Sequence, residues 1–401
     1  MDILFAIGIA VISGFIGGKL FNRVKIPAVT GWVIMGVVMG GSVAGVFSQE
    51  VLSRTGIVAD LALGFIAFAI GEELTIPNLR KLGKSIAVMV VLEAFGAFLL
   101  VTSVTLAITH KLYEALLLGA ISSATAPAAT VMVIQELRAK GDLTTTILSI
   151  VAIDDAIALI LYAFASSVAK IIIVPGASFS IFSTIVEPVK DIFGALLLGL
   201  GIGALISFSS RWLRSSVDFF VVVIGGILVN IGISNSLGFS ELLANMSLGM
   251  TIANLSPRPI HRISNIWSSS TPVLYIMFFC LAGAHLNVRL ISQIGFLGLA
   301  YTGARAMGKF MGAFFGAKIS GAPKVVQRYV GLSLFPQVGV ALALAVVVGR
   351  DFAPYGAVGR SLATVVINLL LFTTVITEIV GPYLTRWSLT RAGEAAKSAK
   401  V

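Results

Sequence analysis

The sequence contains few charged residues: Asp, Glu, Lys and Arg together make up 11% of its 401 residues, whereas 57% are hydrophobic. Soluble globular domains carry about a quarter charged residues, so a water-exposed globule is excluded. The single cysteine, Cys280, excludes a disulfide bond within the chain. No glycine-rich stretch has the lysine-serine ending of a phosphate-binding loop. We therefore expect an all-α polytopic membrane protein without a soluble catalytic domain.

Hydrophobic segments fill the chain from residue 2 to about residue 385. At roughly 17 to 25 apolar residues per helix they divide into about thirteen transmembrane spans. The first segment has Asp2 in place of a cationic leader, so we interpret it as a retained span and not as a signal peptide. The predicted spans cover approximately residues 2–20, 28–47, 56–76, 84–109, 112–138, 142–170, 187–210, 216–235, 239–255, 268–286, 290–319, 328–349 and 358–385.

Lysine and arginine are distributed unequally between the predicted loops. The loops after odd-numbered spans hold 19 of these residues and the loops after even-numbered spans hold 7. Because cationic loops stay in the cytoplasm, we expect the N-terminus outside and the C-terminus inside a cell membrane, either a plasma membrane or a bacterial inner membrane. The formal net charge of +10 is thereby explained as a topology signal and not as a nucleic-acid site.

Two basic residues, Arg305 and Lys309, lie deep in predicted span 11, and two acidic residues, Asp154 and Asp155, lie deep in span 6. A charge at the centre of the bilayer costs at least ~2.5 kcal/mol, so these residues need a reason to be there. At 1.5 Å per residue, Asp154 lies roughly 18 Å and Lys309 roughly 15 Å from the cytoplasmic side. We expect acids and bases to meet at one depth, either as a transport site or as a buried salt bridge that only joins two helices.

Proline interrupts two further spans at a similar depth, in SSATAPAATV around Pro127 of span 5 and in LFPQVGVAL around Pro336 of span 12. Proline removes a backbone donor and breaks helices, and non-helical backbone within a membrane is tolerated only where it is buried in protein or lines a cavity. Half-helix ends offer carbonyl oxygens and partial charges to an ion. Either break alone is explained by a plain proline kink, whereas the two together favour an ion site.

The order of the spans predicts an internal symmetry. Spans 1 to 6 (about 2–170) and spans 8 to 13 (about 216–385) form two sets of six with opposite orientation, and the break falls in the fifth helix of each set. This order is typical of inverted repeats with a midplane site between them. We expect one transporter unit over residues 1–385, with a linker helix at about 187–210 and a short basic cytoplasmic tail at 386–401.

Six short motifs follow one another along the chain: GEEL at 71–74, SSATAP at 122–127, IDDAIAL at 153–159, SELLANMSLGMTIANL at 240–255, ARAMGKFMGA at 304–313 and LFPQVGVALALA at 334–345. In this order, and on about thirteen spans, they resemble the monovalent cation:proton antiporters, specifically the double-aspartate branch of sodium/proton antiporters. The resemblance covers nearly the whole chain.

The resemblance implies a six-helix core that moves against a dimerisation domain, with spans 5 and 12 crossing as broken helices, in a homodimer. Asp155 resembles the carboxylate that takes the cation or the proton, and Asp154 resembles the one that pairs with a lysine in the ion-free state. That lysine looks like Lys309. The family's motif can also be aligned one turn earlier, with Arg305, since residues four apart share a helix face. We also expect Thr125, in the span 5 break, to be a ligand of the ion or the proton.

Secondary candidates are Ser123 beside Thr125, Glu93 in span 4 and Glu73 at the end of span 3. We interpret Glu93 either as a partner of Arg305 or as a group facing a wet crevice, and Glu73 as a charge that helps a cation enter. Glu378, nearer the end of span 13, is expected to be an interfacial charge.

Two departures from the family's pattern bear on the substrate. Many relatives have Asp or Ser after the threonine of the span 5 break, whereas Ala126 follows Thr125 here, so one expected oxygen ligand is missing. The electroneutral branch carries Asn before the ion-binding Asp and Glu five residues before it, where this chain has Asp154 and Ile150. The second departure disfavours the electroneutral branch.

Desolvation and a neighbouring carboxylate raise the pKa of a carboxyl group and an ammonium lowers it, so a buried carboxyl group can exchange a proton for a cation near neutral pH. We predict a secondary active transporter, not an enzyme, that exchanges Na+ or Li+ for protons by alternating access in a lipid bilayer, without a cofactor or a structural metal. Electrogenic exchange is expected, with a second proton on Asp154 or Lys309. A K+/H+ exchanger of the same fold and a passive cation channel stay open as alternatives.

Overall fold

The computed structural model of the chain describes residues 3–24, 27–47, 52, 55–77, 83–173, 181–213, 215–287 and 290–396. These residues form α-helices and one 3-10 helix, η1, and Gly40 and Phe47 form an isolated bridge. The predicted all-α fold class is confirmed. The helices are α1 (Ile3–Arg23), α2 (Ala28–Met39), α3 (Gly56–Glu73), α4 (Gly83–Thr109), α5 (Leu112–Ser122), α6 (Pro127–Glu136), α7 (Asp142–Ile173), α8 (Ile181–Ser209), α9 (Ser216–Leu237), α10 (Glu241–Leu255), α11 (Pro257–Ala284), α12 (Ile291–Ile319), α13 (Lys324–Tyr329), η1 (Val330–Leu334), α14 (Gly339–Phe352) and α15 (Gly356–Arg391).

Six helices of the described ranges are long and apolar enough to cross a membrane: α1, α4, α7, α8 from Val189, α9 and α15. A seventh candidate is a bent pair, in which the segment Lys324–Leu334 and α14 meet at 43°. α12 is also long enough to cross, at 29 residues, but Arg305 and Lys309 make it more polar. Each of the thirteen predicted spans overlaps a helix or a broken pair of helices, and the number that cross a membrane stays a prediction.

The helices pack in two groups. The first, here called the site bundle, consists of α4 to α7 and α12 to α15 with η1. The second, here called the scaffold, consists of α1 to α3 and α9 to α11, and α8 packs on α10 of the scaffold and on α7 of the site bundle. One continuous cluster of buried apolar side chains runs through both groups. Apolar contacts therefore continue across the boundary between the groups.

Glycine residues bring α4 and α12 into backbone contact within the site bundle. A Cβ atom added to Gly308 of α12 would lie 2.5 Å from the carbonyl oxygen of Gly96 of α4, and one added to Gly312 would lie 2.6 Å from the Cα atom of Glu93. Glycine at a helix interface permits this close approach because no side chain separates the backbones. The contact places Glu93 and Lys309 at the same level of the bundle.

The start of α7, the helix that carries both aspartates, is held by the end of the chain. α15 continues to Arg391, beyond the predicted end of the last span near residue 385. The Glu394 carboxylate then accepts hydrogen bonds from the backbone N–H groups of Leu143 (2.8 Å) and Thr144 (2.7 Å). These groups have no partner within the helix, so Glu394 acts as a cap on α7. A side chain at Gly141 would overlap the Glu394 carboxyl group.

Candidate functional site

Two interrupted helices meet inside the site bundle. The first break, residues 123–126, separates α5 from α6, and the second, residues 335–338, separates η1 from α14. Pro127 is the first residue of α6, a position where its missing N–H group costs no helical hydrogen bond, and Pro336 lies within the second break. The backbone N–H group of Ala126 donates to the carbonyl oxygen of Pro336 at 2.9 Å. Both predicted breaks are present, and they touch each other.

Arg305 of α12 joins the ends of the broken helices. Its Nε donates to the carbonyl oxygen of Ser122 (2.9 Å), Nη1 to that of Phe335 (2.7 Å) and Nη2 to that of Ala124 (2.7 Å). Helix C-termini present unpaired carbonyl groups and a partial negative charge. The fully buried guanidinium compensates them in both breaks at once. Arg305 therefore contacts carbonyl oxygens, and the structure does not place it on Asp154.

Three polar side chains that sequence reasoning missed add to this connection. Nε2 of Gln337 donates to the carbonyl oxygen of Ile121 at 2.9 Å and lies 3.0 Å from the Tyr301 hydroxyl group. The Thr377 hydroxyl group of α15 donates to the backbone carbonyl of Gln337 at 3.1 Å. The sequence gives a signal for Gln337, a polar residue that follows Pro336 in an apolar span, whereas Tyr301 and Thr377 stand beside neither break in the sequence.

Lys309, one turn after Arg305 on α12, contacts the carboxyl groups of Asp154 and Glu93. Its Nζ, which has three N–H donors, lies within hydrogen-bond distance of four acceptors: Oδ2 of Asp154 (2.8 Å), Oε2 of Glu93 (2.7 Å), Oγ1 of Thr125 (2.8 Å) and the backbone carbonyl of Ser123 (2.5 Å). The Thr125 hydroxyl group donates in turn to the Asp154 carboxylate. All of these side chains are buried. The structure thus pairs Asp154 with Lys309, pairs Glu93 with the same ammonium, and uses the backbone of Ser123 at this point.

Two carboxylates in this cluster share one ammonium group. Within the described residues, Oδ1 of Asp154 and Oε1 of Glu93 have no hydrogen-bond partner. An ionised carboxylate in a low-dielectric interior is costly unless it is paired. The cluster therefore has one carboxyl group more than Lys309 can neutralise and has room for one proton.

Asp155 lies on a different side of α7, because adjacent residues of a helix point about 100° apart. It lines a cavity of about 310 Å³ between the site bundle and the scaffold, next to both breaks. Among the described residues that line this cavity, Asp155 is the one with a charged side chain. The scaffold contributes aromatic side chains, and the rings of Trp32 and Phe279 stack with centroids 6.1 Å apart. Tyr275 completes the aromatic part of the lining.

Glu378 of α15 is a further buried carboxyl group. It is fully buried and accepts a hydrogen bond from the Thr30 hydroxyl group of α2 at 3.2 Å. The sequence indicated an interfacial charge because span 13 was predicted to end near residue 385. α15 continues to Arg391, which places Glu378 roughly 20 Å from the end of the helix. The interfacial interpretation is therefore wrong.

A separate group of charges joins the site bundle to the scaffold at the far ends of α7 and α14. Arg350 of α14 pairs with Asp60 of α3 at 3.0 Å and with Glu241 of α10. Lys170 of α7 lies 3.5 Å from Asp351. The two groups of helices are thus connected at the end of α7 opposite to the Glu394 cap.

Glu73 is the last residue of α3, and its side chain lies outside the described part of the structure, so its expected role stays a prediction. Across the described ranges, no group of three or more His, Cys, Asp and Glu residues is arranged to hold a metal ion.

Known proteins are similar to this chain over its whole length. The family described as "Sodium/hydrogen exchanger, transmembrane" matches residues 7–389. The chain is 23% identical over 372 residues to the ammonium/H+ antiporter subunit AmhT of Alkalihalophilus pseudofirmus, covering 92% of each chain. It is 24% identical over 414 residues to the Na+/H+-K+ antiporter GerN of Bacillus cereus, covering 100% of this chain and 99% of that protein. The solved structure of the sodium proton antiporter MjNhaP1 from Methanocaldococcus jannaschii at pH 8 matches with a TM-score of 0.81 at 16% identity, over 97% of this chain and 98% of that one.

Proposed function

This chain belongs to the sodium/hydrogen exchanger family and is a multi-pass cation/proton antiporter, and from that premise we propose that it exchanges Na+ or Li+ for protons at Asp155. One observation carries the proposal. Asp155 is the charged side chain in the described lining of a cavity that lies between two packed groups of helices and beside both helix breaks. A cation and a proton both need its anionic oxygen, so the two compete for one site.

Competition becomes coupled exchange when only the loaded site changes its exposure. An ionised Asp155 that holds neither a cation nor a proton is costly to move through the boundary, because an ionised carboxylate is unfavourable in a low-dielectric interior. A cation or a proton removes that cost. Cations and protons then cross in opposite directions without a leak of either species.

The cluster around Lys309 adds buried charged groups next to the site in this mechanism. Asp154 and Glu93 stay within hydrogen-bond distance of Lys309, on the packed side of α7. We propose electrogenic exchange, in which the proton-loaded state holds one proton more than Asp155 alone can carry. Asp154 and Lys309 are the first candidates for that second proton.

The proposed movement is that of the site bundle against the scaffold. The ion pairs of Arg350 with Asp60 and Glu241 cross the boundary between the two groups at one end. They support a conformation closed at that end, which opens when these contacts separate. Alternating access then requires no movement within the network that joins the breaks.

Span order and loop charges extend the proposal to the assembly. We propose a homodimer in a plasma or bacterial inner membrane, with the N-terminus outside and the C-terminus in the cytoplasm. Two inverted repeats, at about 2–170 and 216–385, are joined by a linker helix at about 187–210.

K+/H+ exchange is the second candidate, and the lining of the cavity favours it. Ala126 stands where many relatives have an oxygen ligand, and it lines the cavity together with Trp32, Tyr275 and Phe279. An apolar, aromatic wall replaces water around a large, weakly hydrated cation at a lower cost than around a small one, and aromatic faces attract cations. The name of GerN includes potassium, which is consistent with this candidate.

The experiment uses purified protein in sealed vesicles with an imposed pH gradient and an internal pH dye. Na+, Li+ and K+ are added in turn to the wild type, to Asp155→Asn and to Asp218→Asn. Asp218 is an exposed residue of α9 and provides the same chemical change outside the site bundle. We expect Na+ or Li+ to dissipate the gradient in the wild type and in Asp218→Asn, and no cation to do so in folded Asp155→Asn.

Each of the other possible results contradicts a different part of the proposed function. A response to K+ alone changes the substrate to the second candidate. Cation flux without proton movement supports a passive channel. Full activity of Asp155→Asn contradicts the assignment of the site.

A further inference from the structure

Glu378 is a buried carboxyl group at the boundary between the two groups of helices that move in the proposed cycle. It belongs to α15 of the site bundle, and its hydrogen-bond donor, Thr30, belongs to α2 of the scaffold. Both side chains are buried, at 0% and 1% exposure. A relative movement of the two groups therefore separates this carboxyl group from its donor.

The carboxyl group is incompletely paired in the present conformation. Oε2 accepts from the Thr30 hydroxyl group at 3.2 Å, and no residue of the described ranges forms a hydrogen bond with Oε1. An ionised carboxylate in such surroundings carries a large desolvation cost, which protonation removes. Intramembrane ionisable residues of this kind are functional candidates by default.

The charge of Arg305 does not remove the desolvation cost of an ionised Glu378. Its positive charge acts on Glu378, but its guanidinium donates to the carbonyl oxygens of Ser122, Ala124 and Phe335. Those donors compensate the ends of the two broken helices. The charge of Arg305 thus reaches Glu378 through space and without a hydrogen bond.

The other charged groups on elements packed against α15 are engaged elsewhere. Asp154 binds Lys309 in the cluster on α12, and Glu136 of α6 pairs with Arg386. α2 and η1 carry no charged residue in their described sequences. At the far ends of α5 and α14, Glu114 pairs with Lys111, and Arg350 and Asp351 belong to the ion-pair group described above.

Glu378 is mechanically connected to the ion site. Thr377, its neighbour, donates to the carbonyl of Gln337 in the second break. Gly381, one turn later, packs directly on Pro336, where an added Cβ atom would lie 2.5 Å from the proline ring. On the scaffold side, the residue before Thr30 is Val29, which lines the Asp155 cavity. A displacement of the break therefore moves Glu378 relative to Thr30.

We propose that Glu378 is a second proton-binding residue of the transport cycle. It holds a proton while it contacts Thr30 in the closed boundary, and it releases that proton to the water of the cavity when α15 moves away from α2. The inference rests on the proposed exchange at Asp155. One cation on Asp155 then replaces two protons, one on Asp155 and one on Glu378, and each cycle moves net charge.

The test measures the coupling ratio in vesicles for the wild type and Glu378→Gln. The membrane potential that stops cation flux is determined at fixed cation and pH gradients, because it depends on the number of protons per cation. Glutamine keeps the size and the hydrogen-bonding capacity of the protonated side chain but cannot release a proton. We expect two protons per cation in the wild type and one in Glu378→Gln, whose exchange becomes independent of membrane potential.

Three further variants make the test specific. Glu136→Gln is the same substitution at a partly exposed ion pair and is expected to keep the wild-type ratio. Glu378→Asp retains a titratable group and is expected to keep two protons per cation; it also provides a readout if the glutamine variant does not fold. The double variant Asp154→Asn with Lys309→Met removes the other candidate for the second proton, so a ratio that falls in this variant and not in Glu378→Gln assigns the second proton to the cluster around Lys309.

Several results would overturn the proposal while leaving cation/proton exchange at Asp155 intact. They are an unchanged ratio in folded Glu378→Gln, electroneutral exchange by the wild type, and a ratio that falls only in the Asp154 and Lys309 double variant. A wild type that shows no cation-driven proton flux contradicts the proposed function itself, so the two failures are distinguishable.

Discussion

The two faces of α7 present neighbouring aspartates to different surroundings. On the packed face, Asp154 is fully buried and bonded to Lys309 and Thr125. On the boundary face, Asp155 lines a cavity that the scaffold closes with aromatic rings. Asp154 and Asp155 are the same residue type at the same depth, and they differ in their surroundings. Position on the helix circumference thus separates a carboxylate that is paired with a lysine from one that lines a cavity.

Because of this difference, we expect substitutions on the two faces of α7 to change different properties of the protein. Changes on the packed face act mainly on stability, because they break a buried network of charges. Changes on the boundary face act mainly on exchange. The following variants challenge that separation, in order of decreasing effect on stability.

Lys309→Met removes the ammonium that Glu93 and Asp154 share. Two buried carboxylates then lack a counter-charge, and breaking a buried pair from one side costs about 3 to 5 kcal/mol. We expect the free energy of unfolding in detergent micelles to fall by that amount. Lys318→Met, the same change at an exposed position of α12, should have little effect. Equal effects of the two variants would show that the packed face is not a charge network.

Neutralising the whole network should restore most of this loss. In the triple variant Lys309→Met, Glu93→Gln and Asp154→Asn no unpaired charge remains, and replacing a buried ion pair by neutral groups is often close to neutral in stability. We expect unfolding free energies within about 2 kcal/mol of the wild type. A triple variant as unstable as Lys309→Met alone would mean that packing volume, and not charge, sets the cost.

Arg305→Lys tests the same helix one turn earlier, where the partners are carbonyl oxygens. Lysine keeps the charge but loses the planar set of donors that reaches Ser122, Ala124 and Phe335 together. We expect a loss of about 1 to 3 kcal/mol, the cost of leaving a buried acceptor unsatisfied. Arg258→Lys on the exposed start of α11 is the control. Unchanged thermal unfolding in both variants would contradict a joining role of Arg305.

Glu394→Gln has the smallest expected effect and acts on both faces equally. Its carboxylate caps the first turn of α7, and a lost helix cap costs about 0.5 to 2 kcal/mol. We expect a small decrease of the unfolding temperature, without a change in the relative activities of Asp154 and Asp155 variants. A selective loss of exchange would show that the end of the chain controls one face only.

The sequence was sufficient to predict the helical class, both breaks and the meeting of Asp154 with a basic residue of span 11. These features follow from hydrophobic length, proline and the cost of intramembrane charge, all of which are local properties. The resemblance favoured Lys309 over Arg305, but spacing along the sequence could not decide between them, because both share a helix face. The partners of the two basic side chains depend on where α5 ends. Its end places carbonyl oxygens beside Arg305 and carboxylates beside Lys309.

Other features depend on packing between distant segments. Glu93 joins Lys309 because glycine residues bring α4 against α12, and helix spacing is not encoded in a single span. The burial of Glu378 depends on the length of α15 beyond the apolar region. The pairing of Arg350 with Asp60 and Glu241 joins three segments that are far apart in the sequence, and no one of these segments indicates its partners when taken alone.

The most direct test of the separation between the two faces is proton release on cation binding. Purified protein in weak buffer is mixed with Na+, Li+ or K+, and the change in pH is recorded for the wild type, Asp155→Asn and the double variant Asp154→Asn with Lys309→Met. We predict that the wild type and the double variant release protons when the transported cation binds, and that Asp155→Asn releases none. Release by Asp155→Asn at the wild-type level, or its loss in a folded double variant, would contradict the account.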